Sequence, residues 1–394
     1  MNKIKFGDYV RELRIKKGLT LRAAADEMGY ASPYISRIES GLEKPPSREC
    51  LVKMAKTYGV AEETLIERAS NRAKEAYGEL VVNNPALNVL FKVVRDLPED
   101  KIKEAIEYVC KGKGVDPEEF FKEIQKRKIS LPRLGKISEG LFAADVPPRF
   151  LSKVMIEKKA YQFLKKHGLD QDTYCPPTPI EILLEKEEGI RMSIDDNLKM
   201  FKNGEPMELG MSHWSPHQDG IREIRISYAL EKGPHASNHR FRFTVGHELF
   251  HALEHLMLMD EKERTADALC RAVVLLEQNE SNKKDRPALI DRWLSAPNQP
   301  KRLTSNEDWR EWQADYFSAC VLMPEWSVRK EFVKRFGMQE IVVPEADDVK
   351  RIAYEAAKER VCTMGVFEKS MNQVLEVSVM AMAIRLMAVG LVHS

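Results

Sequence analysis

Arg240–Met257, RFRFTVGHELFHALEHLM, is the stretch whose reading decides the fold of most of this chain. Its apolar residues recur at helical spacing, and His247, Glu248 and His251 form the pattern HExxH. On an amphipathic helix positions i and i+4 share a face, so both imidazoles can take one Zn2+ while Glu248 points at the water that the metal activates. The ion acidifies that water and polarises a peptide carbonyl; Glu248 takes the proton and later delivers it to the leaving amine. Two satisfied histidines on a helix are the plain alternative. The surroundings favour the metal. Seven of the nine histidines lie between His213 and His255, and a strand expected over Ile221–Leu230 precedes the helix, its edge available to align an extended peptide.

A third ligand is required, with the fourth position left open. Two carboxylates compete for it. Glu311 opens the run EWQADYFSACVLMP, and Asp315, one turn later, can accept a hydrogen bond from a ligating histidine. Glu263, in ERTADAL, repeats the same Glu-to-Asp spacing closer to the helix. Tyr228, His213, His217, His235, His239 and Tyr316 are candidates for the neutral donor that stabilises a tetrahedral oxyanion. Cys175, just before Pro176 and Pro177, is a candidate thiolate that would occupy the open position as a latency switch.

Four blocks, PPTPIEILLEKEEGI, RFRFTVGHELFHALEH, EWQADYFSACVLMP and VSVMAMAIRLMAVGL, resemble the ImmA/IrrE family of metallopeptidases over about Arg149 to Leu391. The resemblance implies a mostly helical fold with a small sheet, zinc held by His247, His251 and Glu311, Glu248 as general base, and cleavage of a repressor-like partner that relieves repression after DNA damage, phage or another stress. It prefers Glu311 to Glu263. One departure stands out: roughly fifty extra residues separate the HExxH helix from Glu311, long enough for a lid or a substrate-docking insertion.

The other end of the chain reads as short helices: Phe6–Lys17, Leu21–Met28 behind the cap-like Thr20, Ser32–Ser40, and two more near Ser47–Tyr58 and Ala61–Arg68. Gly18, Gly29, Gly41 and Gly59 fall where helices should stop. Leu21, Ala24 and Ala25 can pack on Ile35 and Ile38 across the turn at Gly29–Ala31, the spacing of a helix-turn-helix. The second helix would present Ser32, Pro33, Tyr34, Ser36 and Arg37 to a major groove, with Lys16, Lys17, Arg22 and Lys44 on the phosphate backbone. A helical bundle that binds a protein is the plain alternative. Residues 6–66, above all YISRIESG and LVKMAKTYGV, resemble the Xre, or lambda-repressor/Cro-like, family, which implies a double-stranded DNA operator as partner and a homodimer.

Between these ends, residues 71–148 read as a helical connector closing in LPRLGKISEGLFAADVPP, a linker similar to the cleavage region of LexA-like self-cleaving repressors but with no serine/lysine dyad domain after it. With 394 residues, 43% hydrophobic and 31% charged, the chain can hold two or three cores. The expected class is mainly α with a small β-sheet (α+β): a helix-turn-helix bundle over 1–70, the connector and linker over 71–148, and a zincin-like metallopeptidase domain over 149–394. Cys50, Cys110, Cys175, Cys270, Cys320 and Cys362 show no CxxC pair, which excludes a disulfide framework and a cysteine zinc finger. No apolar run approaches the roughly 18 residues of a membrane span, and the start carries no signal core, so a cytoplasmic location is expected.

Two functions from different classes follow. One is a DNA-binding regulator whose zinc endopeptidase cuts a repressor-like protein or the chain's own linker. The other is a non-catalytic regulator or antitoxin that uses the peptidase fold as a sensor or partner-binding surface.

Overall fold

Short polar residues cap the starts of two N-terminal helices, and a glycine at positive φ follows the end of each of the first four. The computed structural model describes residues 5–43, 46–69, 150–196, 198, 201–202, 205–206, 209–215, 220–232, 236–258, 269–272, 305–360, 362–363 and 366–394. The chain divides into two units, Met1–Ser138 and Glu139–Ser394. The expected connector and linker over 71–148, together with Lys44, His217, His235 and Glu263, lie outside the described residues.

In the first unit α1 (Phe6–Lys16), α2 (Leu21–Met28), α3 (Ser32–Glu39) and α4 (Arg48–Tyr58) are followed by a helical stretch over 62–69. The Thr20 hydroxyl accepts the Ala23 amide at 3.0 Å and the Ser47 hydroxyl that of Cys50 at 3.3 Å, satisfying donors that the first turn of a helix leaves open. Gly29, at φ 71°, ends α2 in the left-handed region, where a side chain would be strained. Leu21, Ala24, Ala25, Ile35 and Ile38 are all buried, so the helix pair packs through the expected residues. Two further contacts fix α3 against α1. A Cβ on Gly7 would lie 2.3 Å from the Glu39 carbonyl oxygen, so the backbones meet there. Buried Arg14 also clasps the Glu39 carboxylate through Nε and Nη2, both at 2.7 Å.

In the second unit α5 (Lys153–Lys166) and α6 (Ile180–Glu185) precede a four-stranded sheet. Its strands are β1 (Ile190–Asp195), β2 (Gly210–Trp214), β3 (Arg222–Ser227) and β4 (Leu269–Ala272), in the order β1-β3-β2-β4. β1 and β3 are parallel; the other pairs are antiparallel. The expected strand over Ile221–Leu230 is thus β3 followed by a single 3-10 turn, Tyr228–Leu230, and it lies inside the sheet with neither edge free.

α7 (Asn238–Phe250) lies against β2 and β3 on one side and α8 (Asn306–Leu322) on the other. Every residue from Thr244 to Phe250 is buried, so α7 is a core helix and not the amphipathic one its sequence suggested. Gly246 permits the contact with α8: a Cβ there would lie 2.6 Å from the Ser318 hydroxyl, which donates to the Phe243 carbonyl at 2.9 Å. α8 begins five residues before Glu311, at a capping box in which Ser305 and Asp308 satisfy each other's backbone amides.

α9 (Glu325–Phe336), α10 (Val349–Lys358), α11 (Met371–Leu375) and α12 (Val379–Ala388) complete the unit. Buried Arg385 of α12 grips Glu157 of α5 at 2.5 and 3.0 Å and donates to the Met323 carbonyl at 3.0 Å, tying three helices together. The architecture is mostly helical with a small sheet, the class expected for this chain. Among the described residues no helix is long and apolar enough to cross a membrane.

Candidate metal centre

α7 presents His247 and, one turn on, His251; α8 presents Glu311 between them. The ligand atoms of the three lie within 4.8 Å of one another. His247 Nε2 is 3.0 Å from His251 Nε2 and 3.2 Å from Glu311 Oε2, and His251 Nε2 is 3.4 Å from Glu311 Oε1. Donors at zinc distances on a tetrahedral ion are separated by roughly 3.3 Å, so the three side chains are spaced as zinc ligands are. The residues therefore fit the ion that the HExxH pattern implies.

The far nitrogens of both histidines are also engaged. Asp315 Oδ1 lies 2.8 Å from His247 Nδ1, and a carboxylate can only accept, so Nδ1 carries the hydrogen and Nε2 is left toward Glu311. His251 Nδ1 lies 2.9 Å from His255 Nδ1, and His255 Nε2 lies 3.3 Å from the Gln313 amide oxygen. That oxygen accepts from His255 Nε2, so neutral His255 offers an Nδ1 lone pair. His251 donates to it and keeps its own lone pair on Nε2, facing His247 and Glu311. The backbone turn over His251–His255 is π-helical, a form concentrated at functional sites. Arg222 of β3 holds that turn by donating to the Ala252 carbonyl at 2.8 Å.

Glu248 is fully buried beside β2. The Ser212 hydroxyl is 2.6 Å from Glu248 Oε2 and 2.9 Å from its main-chain carbonyl. Gly210, two residues back on the same face of β2, would bring a Cβ to 2.9 Å from Glu248 Oε1, so only glycine leaves that carboxylate oxygen its space.

Burial and charge act in opposite directions here. Burial disfavours the charged form of His247, but the Asp315 and Glu311 carboxylates outweigh it and hold the ring well above the usual histidine range. Burial, reinforced by His247, His255 and Arg310, pushes His251 well below that range. Burial likewise lowers His255, to about 3, against the Gln313 hydrogen bond. Glu311 is raised, chiefly by burial.

The structure brings His247, His251, Glu311, Glu248 and Asp315 together. Cys175 is not part of this group: its thiol is exposed and lies 3.8 Å from the Pro176 carbonyl, so the expected latency switch has no geometric basis among the described residues. The remaining oxyanion candidates have other surroundings. The Tyr316 hydroxyl donates to Glu157 at 3.1 Å, His213 lies on the face of β2 opposite Ser212 with its Nδ1 2.9 Å from the Trp214 carbonyl, and His239 is exposed. Tyr228 sits in the 3-10 turn after β3. Sequence reasoning missed Ser212, Gly210, His255 and Gln313. His255 had a legible signal, since His247, His251 and His255 step along one helix face at intervals of four.

In the first unit the expected groove-facing residues differ in exposure. Ser32, Pro33 and Ser36 are buried. Tyr34, Arg37 and Arg22 keep part of their surface. Tyr34 packs on Tyr30 with ring centres 5.3 Å apart, and Arg37 pairs with Glu43 at 3.1 Å.

A family profile described as a helix-turn-helix domain matches residues 5–69. An uncharacterized HTH-type transcriptional regulator, found in two strains of Mycobacterium tuberculosis, is 36% identical over 63 residues, 16% of this chain and 44% of its own length. The HTH-type transcriptional regulator DdrOP3 of Deinococcus deserti is 32% identical over 90 residues, 21% of this chain and 69% of its own. The chain thus spans less than half the length of the mycobacterial relatives. No solved structure matches it.

Proposed function

We propose, from the premise that this chain belongs to the HTH-type transcriptional regulators, that it couples operator binding by residues 5–69 to a zinc-dependent endopeptidase in its second unit. The observation that carries the enzymatic half is the convergence of His247, His251 and Glu311 at the spacing of zinc ligands, across some sixty residues of sequence. Zinc held by these three side chains would polarise the scissile carbonyl and acidify water. Glu248 stands ready as the base: buried, oriented by the Ser212 hydroxyl, and with Oε1 kept clear by Gly210. It takes a proton from water and returns it to the leaving nitrogen. Asp315 holds His247 in the tautomer that leaves Nε2 for the metal.

The substrate is a repressor-like protein or the chain's own linker, and double-stranded operator DNA is the partner of the helix-turn-helix, engaged as a homodimer. The test compares new protein N-termini in cells carrying the unaltered chain and Glu248→Gln, before and after DNA damage, alongside zinc content of the purified proteins. Termini that depend on Glu248, with a rate loss of about a hundred-fold or more in the variant, are expected. Equal termini in both strains, with zinc and operator binding retained, would replace the enzyme by a regulator that uses this fold for sensing.

A further inference from the structure

β2 is the strand that touches Glu248, and its two edges are filled by different parts of the chain. One edge pairs with β3, within the sheet. The other pairs antiparallel with β4: Gly210 opposite Ala272, Met211 opposite Arg271, Ser212 opposite Cys270 and His213 opposite Leu269. β4 comes from the extra stretch between the HExxH helix and Glu311.

Neighbouring strands run about 4.8 Å apart, so the β4 backbone lies one strand spacing from the residue whose hydroxyl holds Glu248. An open strand edge takes extended polypeptide through main-chain hydrogen bonds, largely independent of sequence. A segment to be hydrolysed must lie extended beside Glu248, and β1 is too far away to guide it, with β3 lying between it and β2. The β2 edge is therefore the lane for substrate, and β4 stands in it. Among the described residues β4 pairs with β2 through four residues, a ladder that another extended segment can exchange with.

We propose that residues 269–272 are an internal occupant of the peptide lane along β2, and that an extended, unfolded segment of a second polypeptide reaches Glu248 only by displacing them. The proposal rests on the peptidase reading of the site. It makes the extra stretch a brake on the enzyme. Folded domains without a loose segment are excluded as substrates, because only a free strand can exchange with a strand.

The test uses the full chain, zinc-loaded and carrying Glu248→Gln so that nothing is cut. The probe is a labelled synthetic peptide copying residues 265–276 with Cys270→Ser. Adding Cys270→Pro to the chain removes a main-chain donor from β4 and should weaken its pairing. The doubly altered chain is expected to bind the peptide at least ten-fold more tightly. In the Glu248→Gln chain, excess peptide should raise hydrogen exchange at 269–272 and leave 210–213 protected. Equal affinity of two zinc-retaining chains, or exchange at 269–272 unmoved by peptide, overturns the proposal. Should the proline variant fail to hold zinc, the exchange experiment decides alone. Peptide displacement without any Glu248-dependent cleavage in cells would remove the peptidase reading and keep the lane; cleavage without displacement would do the reverse.

Discussion

His255 is not itself one of the three grouped residues, yet through its 2.9 Å contact with His251 Nδ1 it dictates which nitrogen of His251 is free. Replacing it with phenylalanine fills the space and removes the acceptor, so His251 can protonate on Nε2 instead. Zinc affinity of His255→Phe should fall about 10–100-fold in a chelator competition, the usual cost of losing a partner behind a ligand. An unchanged affinity would sink the relay from Gln313 through His255. His247 makes a second prediction. Two carboxylates hold its ring well above the usual histidine range, and a ligating histidine is neutral, so zinc loading should release protons, measurable as a buffer-dependent heat of binding. At this scale much was legible: the HExxH pattern marks two histidines and a carboxylate, and Asp315 follows from its spacing to Glu311. Ser212 and Gly210 were not, since a serine and a glycine carry no chemical signature until a strand places them against a buried glutamate.

Among the elements, α3 owes its position to α1. Removing the Glu39 carboxylate leaves the Arg14 guanidinium buried without its bidentate partner, which costs about 3–5 kcal/mol. Glu39→Ala should therefore lower the melting temperature of the first unit and abolish operator binding together. Gly7→Ala should act the same way through sterics, because the obstacle is main-chain carbonyl and cannot rotate aside. Melting curves at wild-type values for either variant would contradict this packing. The first four helices were readable because caps and glycines mark their ends locally. α7 misled because its apolar face looks like one side of an amphipathic helix, while Thr244, His247 and Glu248 on its other faces are buried as well. β2 was hidden for a related reason: all five of its residues are buried, so the alternation that announces a strand is missing.

For the whole molecule, an ion held by His247, His251 and Glu311 should stabilise the unit that contains them. Stripping zinc with a chelator should lower the melting transition of the second unit; at zinc a thousand-fold above its dissociation constant the ion contributes about 4 kcal/mol. Acid acts on the same unit through Glu157. Burial raises its carboxyl, but the Arg385 hydrogen bonds and charge prevail and hold it below the ordinary 4.5. A lowered value means stability that is whole above about pH 4.5 and is lost as pH falls through the folded value. Glu157→Gln should flatten that acid dependence and reduce stability at neutral pH, both visible in a series of melts. The anchors on either side of the extra stretch have a consequence of another kind. Arg222 secures the helix end before residue 259, and the Ser305–Asp308 capping box starts α8 after residue 304, so each flanking helix end has an anchor of its own. Loop entropy changes by only about 0.6 kcal/mol per doubling of length. A change of length between Leu258 and Ser305 should therefore cost little at the two anchors, whereas loss of residues 269–272 would strip β2 of the neighbour it has opposite Gly210–His213.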